Sequence, residues 1–386
     1  MIEKDVLSYK VGALMYTPAL NTGVGEKIVS GAFSDLDSLC FCLEDTVMSE
    51  GVNDAETQLV KTLRYISDNY VSDHYASDHY TLGHYVSDHT DTSDHTSTSG
   101  NNNKSDHVYT VGDTNKSDHA NTAVNTSKSS HTNNGKAPLL FVRVRNPSQF
   151  QRLPKLLGEL LGILTGVIFP KFDLSNAAEY CSLTGCVNAQ LKKPLFMMPI
   201  LESRDIMSLE TRTRSLLGLR ELLDGCGGLV LNIRVGAMDF CNFYGLRRAI
   251  TQSIYDLGII ERVLTDILTV FADDYVVSAP VWEYYDDGGG SNAWLAGLER
   301  ELQLDIARGF IGKTVIHPSQ LPVVKKWLTP LRTDYQDALA VLNWRGGALG
   351  VMRSVEGNRM NEFTAHQKWA HKILRLAEIY GVRDPV

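Results

Sequence analysis

Eight short apolar runs alternate strictly with segments of helical periodicity, and this alternation constrains the fold more than any other feature of the chain. The runs are almost continuously apolar, which is typical of parallel strands covered by helices. The predicted strands are Gly12–Thr17, Ser38–Leu43, Leu139–Val144, Gly166–Pro170, Leu195–Leu201, Gly228–Val235, Tyr275–Ala279 and Thr314–Ile316. The predicted helices between them are Glu26–Phe33, Asn53–Ile66, Arg152–Leu164, Asn176–Leu183, Ser208–Leu223, Gln252–Ala272 and Ala293–Arg308. Strict alternation favours an α/β fold of the closed (β/α)8 TIM-barrel type over an open doubly wound sheet.

A low-complexity tract at residues 70–136 interrupts the alternation. It begins with the repeats YVSDH, YASDH, YTLGH and YVSDH, and it holds eight of the 11 histidines. The tract is too polar to bury a core, so we predict a disordered insertion; loose binding of zinc or nickel by its histidines is the alternative. It connects a predicted helix to a predicted strand, and in a barrel such connections lie on the face opposite the active site.

We predict a barrel over residues 1–330, interrupted by this tract, and a C-terminal helical segment over 331–386. A net charge of -8 without a long basic block argues against a nucleic-acid partner. The apolar runs are too short to span a membrane, and the first residues lack the apolar stretch of a signal peptide. Six cysteines without metal-type spacing are interpreted as buried, reduced thiols. Together these features predict a cytoplasmic protein.

Polar side chains follow nearly every predicted strand. In a barrel, the carboxyl ends of the strands open into the mouth of the active site. The residues at these ends are Thr17-Pro18, Glu44-Asp45, Arg143 with Arg145-Asn146, Lys171, Glu202-Ser203, Asp239, Glu283 and His317. Any one of them is compatible with a solvated loop charge, but their repetition favours an active site, in which Thr17, Pro18 and Asn146 join Arg143 as predicted substrate-binding residues.

Two carboxylates of this set, Glu202 and Asp239, follow neighbouring strands. Mg²⁺ prefers oxygen ligands and keeps several waters, so a pair of carboxylates is a plausible metal site. Arg143 offers a planar, two-pronged donor for a substrate carboxylate or a developing oxyanion. Salt bridges at the barrel rim are the structural alternative. Arg247 and Arg248 are open to two interpretations, as contacts to an anionic substrate or as part of a helix surface.

Seven short motifs occur in a fixed order along the chain. They are YTPALN, LEDTV from Leu43, VRVRNP from Val142, FPKF from Phe169, ILES from Ile200, GAMD from Gly236 and GKTVIHPSQ from Gly312. With these motifs the chain resembles the citrate lyase β-subunit-like proteins of the HpcH/HpaI aldolase group. The stretches FCLEDTV, IRVGAMDF, APVWEYY and GFIGKTVIHPSQ look like the lyase-like proteins associated with tellurite-resistance and stress gene clusters.

The resemblance implies roles for individual residues. It implies Glu202 and Asp239 as magnesium ligands, Arg143 as the substrate-binding residue, and Glu44, Asp45 and Lys171 as catalytic residues completing the pocket. His317 is expected to fix the end of the last strand. The resemblance further implies a homotrimer in which the C-terminal segment reaches over a neighbouring subunit's active site and donates the carboxylate of Glu362; a capping role for Glu362 at a helix over Thr364–Ile379 is the alternative.

These inferences predict a magnesium-dependent carbon–carbon bond lyase or aldolase. It would act on a small carboxylate or acyl-CoA substrate through a metal-stabilised enolate. An acyl-CoA thioesterase on the same scaffold is the enzymatic alternative, because barrel folds host many chemistries. The other alternative is a non-catalytic ligand-binding or scaffold protein of a stress-response gene cluster.

Overall fold

The structure, a computed structural model, describes residues 4–33, 35–69, 137–344 and 349–385 and contains a closed barrel of eight parallel strands. The strands are β1 (Ala13–Pro18), β2 (Ser38–Cys42), β3 (Leu139–Arg143), β4 (Gly166–Phe169), β5 (Phe196–Leu201), β6 (Ile233–Val235), β7 (Val277–Ser278) and β8 (Lys313–Val315). They neighbour one another in chain order, with β8 beside β1. A parallel bridge between Ala279 and Lys313 joins β7 to β8, and the backbone N–H of Ala279 donates to the Gly312 carbonyl at 3.0 Å. The predicted (β/α)8 barrel is therefore confirmed.

Thirteen helices occupy the described ranges, and most of them follow a strand. They are α1 (Lys4–Lys10), α2 (Val24–Val29), α3 (Val52–Asn69), α4 (Pro147–Leu157), α5 (Ala177–Asn188), α6 (Arg204–Met207), α7 (Arg212–Asp224), α8 (Ala237–Phe243), α9 (Gly258–Phe271), α10 (Ala293–Arg308), α11 (Leu321–Leu328), α12 (Arg332–Leu342) and α13 (Gln367–Tyr380). The predicted insertion at residues 70–136 lies outside the described residues.

Several predicted elements differ in extent from those of the structure. The predicted sixth strand shortens to β6: Gly228 has a left-handed φ of 81°, and Val230 forms only an isolated bridge to Met197 of β5. The predicted helix over Gln252–Ala272 is divided because Ser253 and Asp256 form a capping box around a short 3-10 turn. The α-helix α9 then begins at Gly258. Capping residues compete with helix continuation wherever they hydrogen-bond the local backbone.

The core has two layers on either side of the strands. The larger layer lies between the strands and the surrounding helices, and it includes Val142, Phe169 and Leu201. The smaller layer fills the barrel axis with side chains such as Phe141 and Met198. Helix α1 covers the amino end of the barrel, where Leu7 packs against this inner layer. Helix α1 therefore covers part of the amino end, and the polar residues that follow the strands lie at the opposite end.

The residues after the barrel form α12, α13 and an antiparallel hairpin of β9 (Val351–Arg353) and β10 (Met360–Glu362), which the sequence did not predict. The Tyr380 hydroxyl at the end of α13 donates to the Tyr9 carbonyl at 3.0 Å, which ties the segment to α1. Gly12 makes this contact possible: its φ is +46°, and an added Cβ would lie 2.1 Å from the Tyr380 hydroxyl. The domain boundaries at 330 and 331 stay predictions.

A buried ionic network connects α10 to β8 on the outer side of the barrel. The carboxylate of Glu301 accepts hydrogen bonds from Arg248, from Lys313 Nζ at 2.9 Å and from the Ile254 N–H at 2.8 Å. Lys313 Nζ also donates to Asp305 at 2.8 Å. Both Glu301 and Lys313 are fully buried. Arg248 therefore belongs to a structural network. Neither predicted interpretation, a contact to an anionic substrate or a place on a helix surface, applies to it.

Arg247 and the six cysteines differ in how far they are exposed to solvent. Arg247 is 81% exposed and lies 3.8 Å from Glu283. All six cysteines are free thiols; Cys40, Cys42 and Cys241 are buried as predicted, whereas Cys186 is exposed and corrects that expectation. Within the described ranges, we find no helix with the length and apolar character needed to cross a membrane.

Candidate functional site

Charged residues from the ends of β2, β3 and β4 converge at the carboxyl end of the barrel. Arg143, the last residue of β3, lies 3.3 Å from the Glu44 carboxylate and 3.2 Å from the Asp45 carboxylate. Lys171, which follows β4, places Nζ 2.5 Å from the opposite oxygen of Glu44. The structure thus brings together four predicted site residues that lie as far as 127 positions apart in the chain.

The carboxylates of this cluster respond differently to their surroundings. Burial raises the pKa of Glu44 above its ordinary value, even though Arg143 and Lys171 oppose the shift. Burial also acts to raise the pKa of Asp45, but its hydrogen bond with Glu44 and the charges of Arg143 and Lys171 outweigh burial and lower it. Asp45 therefore stays ionised and holds Arg143, which suits an anchoring role better than a proton-transfer role.

The Lys171 backbone links this cluster to Glu202. Lys171 has a φ of 48°, the one described non-glycine residue with a left-handed backbone. In this conformation its N–H donates to Glu202 Oε1 at 2.8 Å, and its carbonyl accepts a hydrogen bond from Asn176 at 2.9 Å. Such a conformation costs about 1–2 kcal/mol for a residue with a Cβ, so the surrounding contacts must maintain it.

Buried Glu202 and half-buried Asp239 form a carboxylate pair after the ends of β5 and β6. Glu202 is 3% exposed. Burial and the neighbouring negative charge of Asp239 raise the pKa of Glu202 to about 8. Burial also raises the pKa of Asp239, although the charge of Lys171 opposes the shift. A divalent cation bound between these two poorly solvated carboxylates would relieve the electrostatic repulsion between them. In the described part of the chain, no group of three or more metal-ligating side chains occurs.

Gly236 makes room for this pair. It precedes α8, and a Cβ built at this position would lie 1.9 Å from Glu202 Oε2 and 2.6 Å from the Glu202 Cβ. The contact involves the carboxylate and its stem, so no small rotation of the Glu202 side chain removes it. Glycine at position 236 is therefore needed to seat Glu202 beside Asp239.

We expect Gly236→Ala to weaken divalent-metal binding at this pair by about tenfold or more, because loss of a residue that supports a metal ligand typically costs 10–100-fold. Titration calorimetry with magnesium measures the change. Gly185→Ala is the matched control: it lies within α5 and meets nothing within 4 Å. The control should keep wild-type metal binding, and equal binding by Gly236→Ala and wild type would contradict the seating role of Gly236.

A cavity of about 180 Å³ opens beside the carboxylate pair at the carboxyl end of the barrel. It is lined by Tyr16, Asp45, Thr46, Arg143, Ile200, Glu202, Arg234, Val235, Gly236, Ala237, Met238, Asp239, Val281, Thr314 and Ile316. Tyr16 and Arg234 are cavity residues that the sequence analysis missed. A charged residue inside the apolar run Ile233–Val235 was the available signal for Arg234.

Three predicted substrate-binding residues lie apart from the described lining of the cavity. Thr17 is buried and accepts a hydrogen bond from Asn21 at 3.4 Å. Pro18 is exposed at the end of β1. The Asn146 side chain is the N-cap of α4 and accepts from the Gln149 N–H at 2.9 Å. Their roles in substrate binding stay predictions.

Glu362 and His317 also lie outside this cluster. Glu362 ends β10, and its N–H donates to His366 Nδ1 at 2.8 Å. Helix α13 begins at Gln367 with His366 at the N-cap, so Glu362 does not occupy the cap position. His317 follows β8 and caps a 3-10 turn through its Nδ1, which matches its expected role at the end of the last strand.

Comparisons with known proteins show the family and the fold of the chain. A family model described as a C–C bond lyase of the TIM-barrel fold matches residues 5–82 and 110–382. Two solved structures share the fold. CitE from Mycobacterium tuberculosis, in complex with magnesium, acetoacetate and coenzyme A, has 17% identity and a TM-score of 0.52 over 95% of this chain and 98% of its own. A citrate lyase from Burkholderia xenovorans LB400 has 12% identity and a TM-score of 0.57 over 97% and 93%.

No protein of curated function matches the chain in sequence. The family model nevertheless covers both the barrel strands and the C-terminal segment, and it includes every residue of the charged cluster and of the carboxylate pair. The predicted resemblance to the citrate lyase β-subunit-like proteins is therefore confirmed. The chain belongs to the C–C bond lyases of the TIM-barrel fold.

Proposed function

We propose that this lyase is magnesium-dependent and cleaves a carbon–carbon bond of a small carboxylate or acyl-CoA substrate through an enolate. The observation that carries the proposal is the placement of the Glu202–Asp239 carboxylate pair and of Arg143 around one cavity. A metal site and a cationic donor that face the same small volume can bind one substrate from two sides.

The carboxylate pair suits Mg²⁺. Both ligands would be carboxylate oxygens, the cavity beside them leaves room for water or substrate oxygen, and the raised pKa of Glu202 reflects repulsion from Asp239 that a cation would remove. Bound Mg²⁺ would supply Lewis-acid stabilisation of negative charge on a substrate oxygen. The magnesium, acetoacetate and coenzyme A held by CitE from Mycobacterium tuberculosis support this assignment.

Arg143 would bind the substrate carboxylate or the developing oxyanion. Its guanidinium is held by Glu44 and Asp45 and lies 5.2 Å from the centre of the Tyr16 ring. Lys171 fixes Glu44 in turn, so the donor is oriented before the substrate arrives. A donor positioned in advance stabilises transition-state charge without reorganisation at the moment of reaction.

The cavity size restricts what reacts inside. Small-molecule sites usually enclose about 300–1,000 Å³, and this cavity encloses about 180 Å³. A carboxylate of a few carbons therefore fits, and the carrier part of an acyl-CoA would lie outside. Homotrimeric assembly, donation of Glu362 to a neighbouring site, a cytoplasmic location and an association with stress gene clusters stay predictions.

Product analysis tests the proposed function. The protein would be incubated with magnesium and a panel of hydroxy and oxo diacids, free and as coenzyme A thioesters, and the products identified by mass spectrometry. We expect two carbon fragments from a reactive substrate, and none after chelation of the metal. Release of an acid and free thiol would instead indicate a thioesterase. Binding of panel members without any turnover would indicate a ligand-binding protein.

A further inference from the structure

Two cysteines that take no part in the cavity lie against each other on the outer side of the barrel. Cys181 belongs to α5, and Cys226 lies in the turn that follows α7. Their thiols are hydrogen-bonded to each other. Both are free and only partly buried, at the edge of the outer core layer. They are far apart in the chain, so the fold alone makes them a pair that solvent can reach.

The hydrogen bond makes the two thiols chemically unequal. It lowers the pKa of Cys226, where it outweighs burial, which acts to raise it. The same hydrogen bond, together with burial, raises the pKa of Cys181. Cys226 is therefore the thiol that ionises more readily, and Cys181 keeps its proton and donates it. Because the thiolate is the form that attacks a disulfide, Cys226 suits the attacking role and Cys181 the resolving role.

The turn that carries Cys226 is loosely packed. Gly227 and Gly228 follow it with left-handed φ values of 60° and 81°, and a Cβ built at either position would meet nothing within 4 Å. The Cys226 thiol also contacts the Leu222 carbonyl of its own helix, at 3.3 Å. A disulfide requires the two sulfurs to approach to about 2.0 Å. An open, glycine-rich turn can move Cys226 toward Cys181 without repacking a neighbouring helix.

Cys186 separates exposure from pairing. It lies on the same helix as Cys181 and is exposed. Among the described residues, no thiol is hydrogen-bonded to Cys186. The helix therefore carries one accessible thiol with a partner and one without, which provides a control for reactions that depend on solvent access alone.

We propose that Cys181 and Cys226 form a reversible disulfide when the protein meets a low-molecular-weight disulfide such as oxidised glutathione. The Cys226 thiolate attacks one sulfur of oxidised glutathione, which breaks its sulfur–sulfur bond and expels one glutathione thiolate. Cys181 then loses its proton and attacks the Cys226 sulfur of this mixed disulfide, which expels the second glutathione thiolate. The protein gives up two electrons and two protons, and oxidised glutathione takes them up as two thiols.

The disulfide would connect α5 to the end of α7. The chain between the two cysteines contains β5 and Glu202, so the covalent loop would include one member of the carboxylate pair. Disulfides of this kind in reducing compartments are usually transient and respond to the redox state. The modification site is separate from the cavity, and it stands whether or not the protein cleaves a carbon–carbon bond.

The test incubates the reduced, full-length protein with mixtures of oxidised and reduced glutathione, blocks the remaining thiols and identifies the products by mass spectrometry. Wild type should lose the mass of two hydrogen atoms, yield a peptide that links Cys181 to Cys226, and recover its original mass after treatment with dithiothreitol. Cys181→Ser should stop at a mixed disulfide of Cys226 with one glutathione. Cys226→Ser should yield no linked peptide, and the control Cys186→Ser should yield the same linked peptide as wild type.

Three results would overturn the proposal. They are the absence of the linked peptide in wild type under conditions that modify Cys186 fully, a link from either cysteine to Cys186 instead, and loss of the linked peptide in Cys186→Ser. Serine replaces a partly exposed cysteine without a change of shape, so we expect the variants to fold. If one of them does not, the linked peptide in wild type and in Cys186→Ser decides the question.

Discussion

Replacing Glu202 by Gln and Asp239 by Asn together should abolish both magnesium binding and carbon–carbon cleavage. Amide groups carry no net charge and bind Mg²⁺ weakly. Glu202 and Asp239 are the two carboxylates that line the cavity in addition to Asp45. Loss of residues that merely support metal ligands costs about 10–100-fold, so loss of both ligands should exceed a hundredfold. Calorimetry with magnesium and the rate of product formation measure the two effects separately.

Asp205→Asn is the matched control for this double variant. Asp205 lies three residues after Glu202 in α6 and is exposed, so the same change of acid to amide should leave both readouts unaltered. The double variant should also remain folded, because it removes the repulsion that raises the pKa of Glu202. Wild-type turnover by a folded double variant would remove the metal pair from the mechanism.

Replacing Glu301 by Gln should cost about 3–5 kcal/mol of unfolding free energy, the range for breaking a buried ion pair from one side. The change keeps the side-chain volume but leaves Arg248 and Lys313 without their shared carboxylate in a fully buried position. Glu301 also accepts from the Ile254 N–H, so the connection between α10 and the segment before α9 should weaken too. Urea unfolding followed by circular dichroism measures the loss.

Glu299→Gln provides the comparison on the same helix. Glu299 is partly exposed and lies 3.1 Å from Lys326, itself half-exposed, and such surface pairs contribute about 0–1 kcal/mol. The two variants remove the same charge two residues apart, so the difference between them isolates burial. If Glu301→Gln lost as little unfolding free energy as Glu299→Gln, the charges of Arg248 and Lys313 would be compensated by water or by Asp305 and Glu283.

Much of the site was predictable because, in a barrel, residues at the carboxyl ends of different strands lie together at one end of the fold. The residues concerned lie at or shortly after the ends of strands, and parallel strands bring their carboxyl ends to one face. They are Glu44, Asp45, Arg143, Lys171, Glu202 and Asp239. Asn146 follows the same rule and yet caps a helix, because an asparagine before Pro147 finds a nearer partner in the Gln149 N–H. A position at the end of a strand therefore predicts that a residue lies near the active-site mouth of the barrel. It does not predict which atoms the side chain contacts there.

Arg234 and Lys313 show where this reasoning stops. Arg234 is the middle residue of β6, and Lys313 is the first residue of β8, just before the predicted eighth strand. In the structure Arg234 faces the cavity without an ion pair, whereas Lys313 faces α10 and pairs with Glu301 and Asp305. Side chains alternate between the two faces of a strand, but these strands are apolar on both faces, so the pattern does not tell which face looks inward.

The order of residues along the chain predicts the eightfold alternation, hence the closed barrel, and the set of polar residues at the strand ends. Those features depend on local periodicity and on the shared direction of parallel strands, which a chain carries in its order of residues. Three other features are visible in the folded chain alone: Gly236 makes room for Glu202, Arg248 is structural, and Arg234 lines the cavity. Those outcomes depend on which side chains from distant strands and helices come within a few ångströms, and that depends on barrel closure and helix packing.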